Sequence, residues 1–432
     1  MKNKLLHNKN FMFYILGRLI SLIGNGVLML AMPLYVLDLT GKGTMMGLFG
    51  MLSLLPALAV MPLAGVIGDR MNRKHIMVLM DFLNGILLLI ILIITKSGVS
   101  NIYFLMGFTV LLSIFSAMFN ASTSAMLPDL VEKDELAKAT SIRSVVNSLS
   151  FIIGPLLGGM LYGFLGIELI FFIDGISFIL SALSEMAINY VPKHNLEKKE
   201  NSNVGKEIVE GFSFIYRHKN LRMLLIYAWV TNLLITPVFS VVYPFIMRQE
   251  IGFSAQSYAF FDTAFVVGML VGNLVFVAKF SKTDTKKLMK TGLAVETALM
   301  VVAAGMFIPF VVNIFGGATI SFLALLISVA LLFGFSNVYV NVPFETNIQK
   351  MVPAEIRSRV FSALGIISQG GVPLSTLLIG VLIDYFKGYQ ISMAVIGICF
   401  AITIWFLIKA PDSLYRAELD EEKESKEVLE AI

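Results

Sequence analysis

The sequence predicts an all-α membrane protein in which twelve transmembrane helices form two six-helix bundles. Three observations predict it. Of 432 residues, 57% are apolar and only 14% are charged, a balance foreign to a water-soluble domain of this length. The apolar residues are collected into stretches long enough to cross a bilayer, and there are too many to share one buried core. A single long hydrophilic segment divides them near the middle of the chain.

The spans run at 11–37, 44–67, 75–95, 102–125, 143–164, 168–190, 223–247, 256–278, 288–311, 318–342, 361–383 and 390–409. The first follows a basic decapeptide but is too long for the apolar core of a cleaved signal, so it counts as a span. Cations set the orientation. The N-terminus, the even-numbered turns and the tail hold 28 of the 33 Lys and Arg, while the odd-numbered turns hold four (Lys42, Lys96, Arg248, Lys387). By the positive-inside rule both termini are cytoplasmic, in a multi-pass protein of the inner (cytoplasmic) membrane. The net charge of +4 is therefore a topology signal, and no exposed basic face is left for nucleic acid.

Residues 191–222 read as a cytoplasmic linker between an N-terminal bundle (1–190) and a C-terminal bundle (223–410), with an acidic cytoplasmic tail at 411–432. In the linker, Ile208, Phe212 and Ile215 are spaced to form the apolar side of a short interfacial helix. The similar loops Leu127–Ser144 and Gln349–Ser362 precede spans 5 and 11, as two related bundles would have them. The single Cys399 excludes an internal disulfide and a multi-thiolate metal site.

Arg18 lies roughly 10 Å below the surface of a hydrocarbon core about 30 Å thick. A guanidinium is tolerated there mainly when it faces a bundle interior or a water-filled cavity. Tyr14, Arg18, Ser21 and Asn25 share its helical stripe. Span 4 carries Ser113, Ser116, Asn120 and Ser124; span 7 carries Asn232, Thr236, Ser240 and Tyr243; span 10 carries Gly334, Asn337 and Asn341. Stripes on every third helix suit four cavity-lining helices, two from each bundle. The alternative is that these groups merely hydrogen-bond across helix contacts. Phe119, Phe239 and Phe333 lie on or beside the stripes, where aromatic surface adapts to varied ligands; most other Phe and Met read as packing.

The turn between spans 2 and 3 reads GVIGDRMNRK (Gly65–Lys74). Asp69 is suited to the positive end of a neighbouring helix, and Arg70, Arg73 and Lys74 to acidic groups or lipid phosphates. This turn resembles the G-x-x-x-D-R-x-x-R-K loop of the major facilitator superfamily, and the likeness extends over about 400 residues in length, span count and central linker. MLPDLVEKDELAKATSIRS, FFIDGISFILSA, EIVEGFSFIYRHKNLR and NIQKMVPAEIRSRVFS resemble segments of its bacterial macrolide-efflux and siderophore-export branch. The resemblance implies a major facilitator fold and a secondary exporter, generally proton-driven, working by alternating access without cofactor or bound metal. The fourth-span arginine common in other multidrug branches is missing from SIFSAMFNASTSA. GPLLGG (Gly154–Gly159) is similar to the tail of an antiporter motif; Pro155 removes a helix hydrogen bond, while Gly154, Gly158 and Gly159 allow close helix approach, either as a pivot or as plain packing.

Intramembrane carboxyls are natural proton carriers, since low dielectric favours their neutral form unless they are paired. Asp81 and Glu296 are the leading candidates, with Asp262 and Asp174 behind them; Asp174 reads better as an interhelical hydrogen bond. Glu185, Glu345 and Asp384 lie nearer span ends. No G-x-x-x-x-G-K-[ST] loop is present, which argues against an ATP-driven pump, and no segment is large enough for an enzyme domain. The expected partners are a small amphiphilic substrate, protons and the lipid bilayer, with the chain acting as a monomer. A siderophore exporter, a lipid or solute transporter, and a non-transporting sensor that uses its acidic tail remain as alternatives.

Overall fold

Backbone polar groups in hydrocarbon must be satisfied within their own segment, which leaves helix as the choice for apolar stretches of this length. The computed structural model describes residues 4–98, 101–132, 134–190, 204–280, 283–353 and 356–417, apart from the side chains at 4, 6, 62–70, 204–208, 357, 358 and 362. Among the described residues there is no strand. Helices α1 (Lys9–Thr40), α2 (Gly43–Arg70), α3 (Arg73–Lys96) and α4 (Ile102–Leu130) are followed by one continuous stretch, Leu136–Met186. At 51 residues it would be about 76 Å long if straight, far more than one crossing needs. Gly166, with φ 76° and ψ 173°, breaks it into α5 (136–165) and α6 (167–186); an L side chain would be strained there.

A linker helix α7 (Val204–Arg217) leads to α8 (Lys219–Ile251), α9 (Ala255–Phe280), α10 (Thr285–Met306), α11 (Ile320–Met351), α12 (Arg359–Ile383) and α13 (Gly388–Lys409). In all, eleven helices among the described residues are long and apolar enough to cross a membrane, counting Leu136–Met186 as one. The sequence places every one of them. Its ninth span ran too far, because the chain leaves α10 after Met306 and Pro309 opens a short separate helix, Pro309–Ile314. Side-chain caps mark the starts: Asn8, Asn72, Asn101, Asp284 and Thr319 each accept a backbone N–H in the first turn.

Packing divides the chain into two compact units, one of Met1–Lys198, Pro244–Thr263 and Thr376–Asp384, the other of Lys199–Tyr243, Ala264–Ser375 and Tyr385–Ile432. In the first unit α1 and α5 touch backbone to backbone. A Cβ on Gly154 would lie 2.7 Å from the Gly26 Cα, and one on Gly158 would lie 2.5 Å from the Val27 carbonyl oxygen. Asp384 accepts from the N–H groups of Gly43 (2.6 Å) and Thr44 (3.0 Å), placing a carboxylate at the positive end of α2. Arg248 donates to Asp38 near the end of α1, and Tyr162 adds a second donor to the same oxygen at 2.9 Å.

In the second unit α7 packs on α12, where a Cβ on Gly211 would meet the Arg359 carbonyl oxygen at 2.4 Å and Arg359 pairs with Glu210. The apolar side expected for this helix divides. Ile215 is buried in a cluster with Leu221, Leu224 and Val360, whereas Phe212 is exposed. The side chain of Ile208 lies outside the described ones, and the linker segment 191–203 and the tail 418–432 lie outside the described residues.

Candidate functional site

Two polar faces of α1 meet different helices. On the first, Arg18 is 4% exposed although it sits in mid-helix. Its guanidinium donates to the Thr123 hydroxyl (2.5 Å) and the Asn147 side-chain oxygen (3.1 Å), joining α1 to α4 and α5. Tyr14 donates to the Thr123 carbonyl at 3.0 Å, and Asn25 accepts from Ser116 at 3.1 Å. Asn120 bonds back to the Ser116 carbonyl at 2.9 Å, Phe119 is buried, and the Ser124 carbonyl receives Arg143. Tyr14, Arg18 and Asn25 thus lie with the span 4 stripe. Among the described residues no carboxylate meets Arg18; neutral oxygens hold this cation.

Ser21 does not belong to that face, which corrects the single stripe drawn along span 1. Residue 21 lies three positions from Arg18, about 60° round the helix, and this rotation turns it towards α3 and α6. Its hydroxyl donates to Asp81 and lies 3.1 Å from the Ser181 hydroxyl. Ser181 in turn reaches the Gly17 carbonyl (3.1 Å) and Glu185 (3.3 Å). The Asp81 and Glu185 carboxyls lie within hydrogen-bond reach of each other, and neither residue has exposed surface. Glu185 stands in the last turn of α6, near the span end as its position predicts, yet it is fully buried. It fits against α1 because residue 17 is glycine: a Cβ there would lie 2.7 Å from Glu185 Oε1. Farther along the seam, Asn84 has neither side-chain polar atom bonded, and Asp174 has one oxygen without a donor. Among the described residues no interhelical hydrogen bond to the Asp174 carboxyl is seen; one of its oxygens lies beside Gly24.

In the second unit, Glu296 on α10 is 8% exposed and accepts from the Asn337 amide at 2.7 Å. Asn341 donates to Asn337 at 2.6 Å, so the span 10 stripe is a chain of amides ending on a carboxyl. On α8, Thr236 donates to Asn232 at 3.0 Å, and Asn232 reaches the Ser368 carbonyl at 3.4 Å. Phe239 stacks on Phe333 at 5.3 Å and meets Tyr243 edge-on at 5.1 Å, an aromatic patch on the bonded stripe. Asp262, half-buried on α9, belongs to the first unit.

Of the loop residues, Arg73 pairs with Asp129 at 3.2 Å and donates to the Ala125 carbonyl at 2.9 Å, tying the start of α3 to the end of α4. Tyr190 also donates to Asp129, at 2.6 Å; burial and that carboxylate push its hydroxyl pKa up. Lys74 reaches the Met186 carbonyl at 2.8 Å and so ties α3 to the end of α6. The side chains of Gly65, Asp69 and Arg70 lie outside the described ones. Gly154, Gly158 and Gly159 all sit at close approaches, Gly159 against Ala259 of α9, while the helix stays regular through Pro155.

Sequence reasoning missed Glu185 and Ser181 as partners of Asp81. A signal was present: Asp174, Ser181 and Glu185 recur at i, i+7 and i+11, the spacing that drew the other stripes. Asp38, Arg248 and Asp384 were missed because charges near span ends are common and carry little signal alone.

A family model described as Major Facilitator Superfamily matches residues 14–376 and 232–431. The chain is 23% identical over 387 residues to macrolide efflux protein A of Streptococcus pyogenes, covering 88% of this chain and 91% of that protein. It is 24% identical over 372 residues to the multidrug efflux pump Tap of Mycolicibacterium fortuitum, covering 84% and 86% respectively. Among solved structures, a bacterial homologue of the iron transporter ferroportin in an inward-facing state superposes with a TM-score of 0.71 at 15% identity, over 93% of this chain and 99% of that one. The nucleoside transporter NupG gives 0.72 at 12% identity, over 92% and 98%. At such identities these two structures speak for the fold alone.

Proposed function

From the premise that this chain belongs to the Major Facilitator Superfamily, as a multi-pass and non-enzymatic membrane transporter, we propose that it exports small amphiphilic compounds such as macrolides in exchange for protons. Bundles 1–190 and 223–410 alternate access to a midplane site in a monomer of the inner membrane, with both termini in the cytoplasm. The observation that carries this reading is Arg18, a cation kept in mid-helix by two neutral side chains and without a carboxylate partner among the described residues. Such a group is costly in hydrocarbon and suits a wet passage that receives electron-rich ligands. Near full-length alignment with two efflux proteins supports the outward direction.

In this reading Tyr14, Arg18, Asn25, Ser116, Phe119, Asn120, Ser124, Asn232, Thr236, Phe239, Tyr243, Phe333, Asn337 and Asn341 line the substrate path. Ser21 is reassigned to the carboxyl seam. Asp81 and Glu296 carry protons, with Asp262 and Asp174 in reserve. Gly65, Asp69, Arg70, Arg73 and Lys74 govern the conformational change, with Gly154, Pro155, Gly158 and Gly159 as its pivot. The test uses everted membrane vesicles and a panel of macrolides, dyes and iron chelators. Accumulation of a panel member is expected to require the pH gradient and to vanish when an ionophore collapses it. Accumulation unchanged by that collapse contradicts proton exchange.

A further inference from the structure

We infer that Asp81 and Glu185 form one proton-binding site, a carboxyl pair that holds a single proton between its two members. Four observations converge on it. The two carboxyls lie within hydrogen-bond reach of each other and have no exposed surface. Each has one oxygen, Asp81 Oδ1 and Glu185 Oε2, that meets no donor. Their remaining oxygens are linked through two hydroxyls: Ser21 donates to Asp81, and Ser181, 3.1 Å from Ser21, has its single hydrogen to give to Glu185 or to the Gly17 carbonyl. Gly17 lacks the Cβ that would displace Glu185.

Two ionised carboxylates in contact and away from water repel too strongly to persist, so one proton must be held between them. Among the described residues, the groups bonded at the pair are Ser21 and the Gly17 carbonyl from α1 and Ser181 from α6. None is a cation. Arg18 is occupied on the other face of α1, and Lys74 donates to the Met186 carbonyl. A metal ion in place of the proton fits less well. Ser21 and Asp81 already bond directly, where a coordinated cation would hold its oxygen ligands apart. The pair meets α1 through Ser21 and Gly17, whereas Arg18 is bonded to α4 and α5, so proton and substrate need not share a cavity. Only the use of the proton in the transport cycle rests on the proposed export function.

The test is infrared difference spectroscopy on purified protein in phosphatidylethanolamine–phosphatidylglycerol liposomes at neutral pH, with protons as the probe. Wild type minus Asp81→Asn/Glu185→Gln is expected to show one protonated-acid carbonyl band and one set of carboxylate bands. Two sets of carboxylate bands with no acid band, including any set that shifts when sodium is exchanged for choline, overturn the pair; so do two acid bands. If the double variant does not fold, Ser21→Ala carries the test. Loss of its hydrogen bond is expected to shift the acid band, and an unmoved band overturns the assignment. Gradient-driven accumulation by the wild type, measured separately, reports on the export reading. Should that fail while the acid band is present, the export function falls and the pair stands.

Discussion

Asp81 and Glu296 are both buried carboxyls, yet the structure surrounds them differently. Glu296 is a lone carboxyl with an amide donor 2.7 Å away, itself backed by a second amide. Asp81 has a hydroxyl on one oxygen, no donor on the other and a second carboxyl in contact. The difference teaches that two buried carboxyls can stand in unlike demand for a proton. An amide donor serves an ionised and a neutral carboxyl alike, whereas two acids without a cation require the proton.

Changes to the two sites should therefore have unequal effects. The largest is expected from Gly17→Leu, which drives a side chain into the place of Glu185. Overpacking of this kind costs about 1–3 kcal/mol, and a fall in Tm and in monodisperse yield would register it. An unchanged Tm would mean that Glu185 is not seated against α1. Next comes Asp81→Asn, for which gradient-driven accumulation should fall on the order of tenfold or more with folding intact. Arg18→Ala should lower substrate exchange several-fold at all pH values, because it empties the substrate face and leaves the carboxyl pair in place; a selective loss of pH dependence would reverse the roles of the two α1 faces.

Glu296→Gln should be milder. A glutamine oxygen can still accept from Asn337, so the stability change is expected at about 1 kcal/mol or less in thermal unfolding. A loss equal to that of Asp81→Asn would erase the contrast between the sites. The smallest effect belongs to Asp412, outside the membrane. The Lys286 ammonium beside it at 2.6 Å, through its hydrogen bond, holds its pKa below the ordinary 3.8. A depressed folded-state pKa gives a contribution that is present above the unfolded value and is lost as pH falls through the folded one. Asp412→Asn should therefore lower Tm slightly at neutral pH, and the two curves should converge in acid.

The helices were readable because apolar length and cation placement depend on composition over twenty residues at a time. The break at Gly166 falls between two predicted spans for the same reason. Site residues were readable where one helix carries them with a single period, as for Tyr14, Arg18 and Asn25, or for Asn337 and Asn341. Ser21 was misassigned because a stripe at i, i+4, i+7 and i+11 is wide enough to touch two neighbours, and one sequence does not say which. Glu185 was discounted because its distance from the span end suggested water. Its burial depends on a glycine 168 positions earlier, a tertiary fact without local signature. The Arg248–Asp38 and Asp384–Gly43 contacts are equally long-range.

The most direct measurement compares two rates in the same vesicles for Asp81→Asn: exchange of labelled for unlabelled substrate without a gradient, and accumulation driven by a pH gradient. With proton and substrate on adjacent faces of α1 that meet different helices, exchange should persist while accumulation disappears. Loss of both rates in a well-folded variant, or survival of both, would contradict that separation.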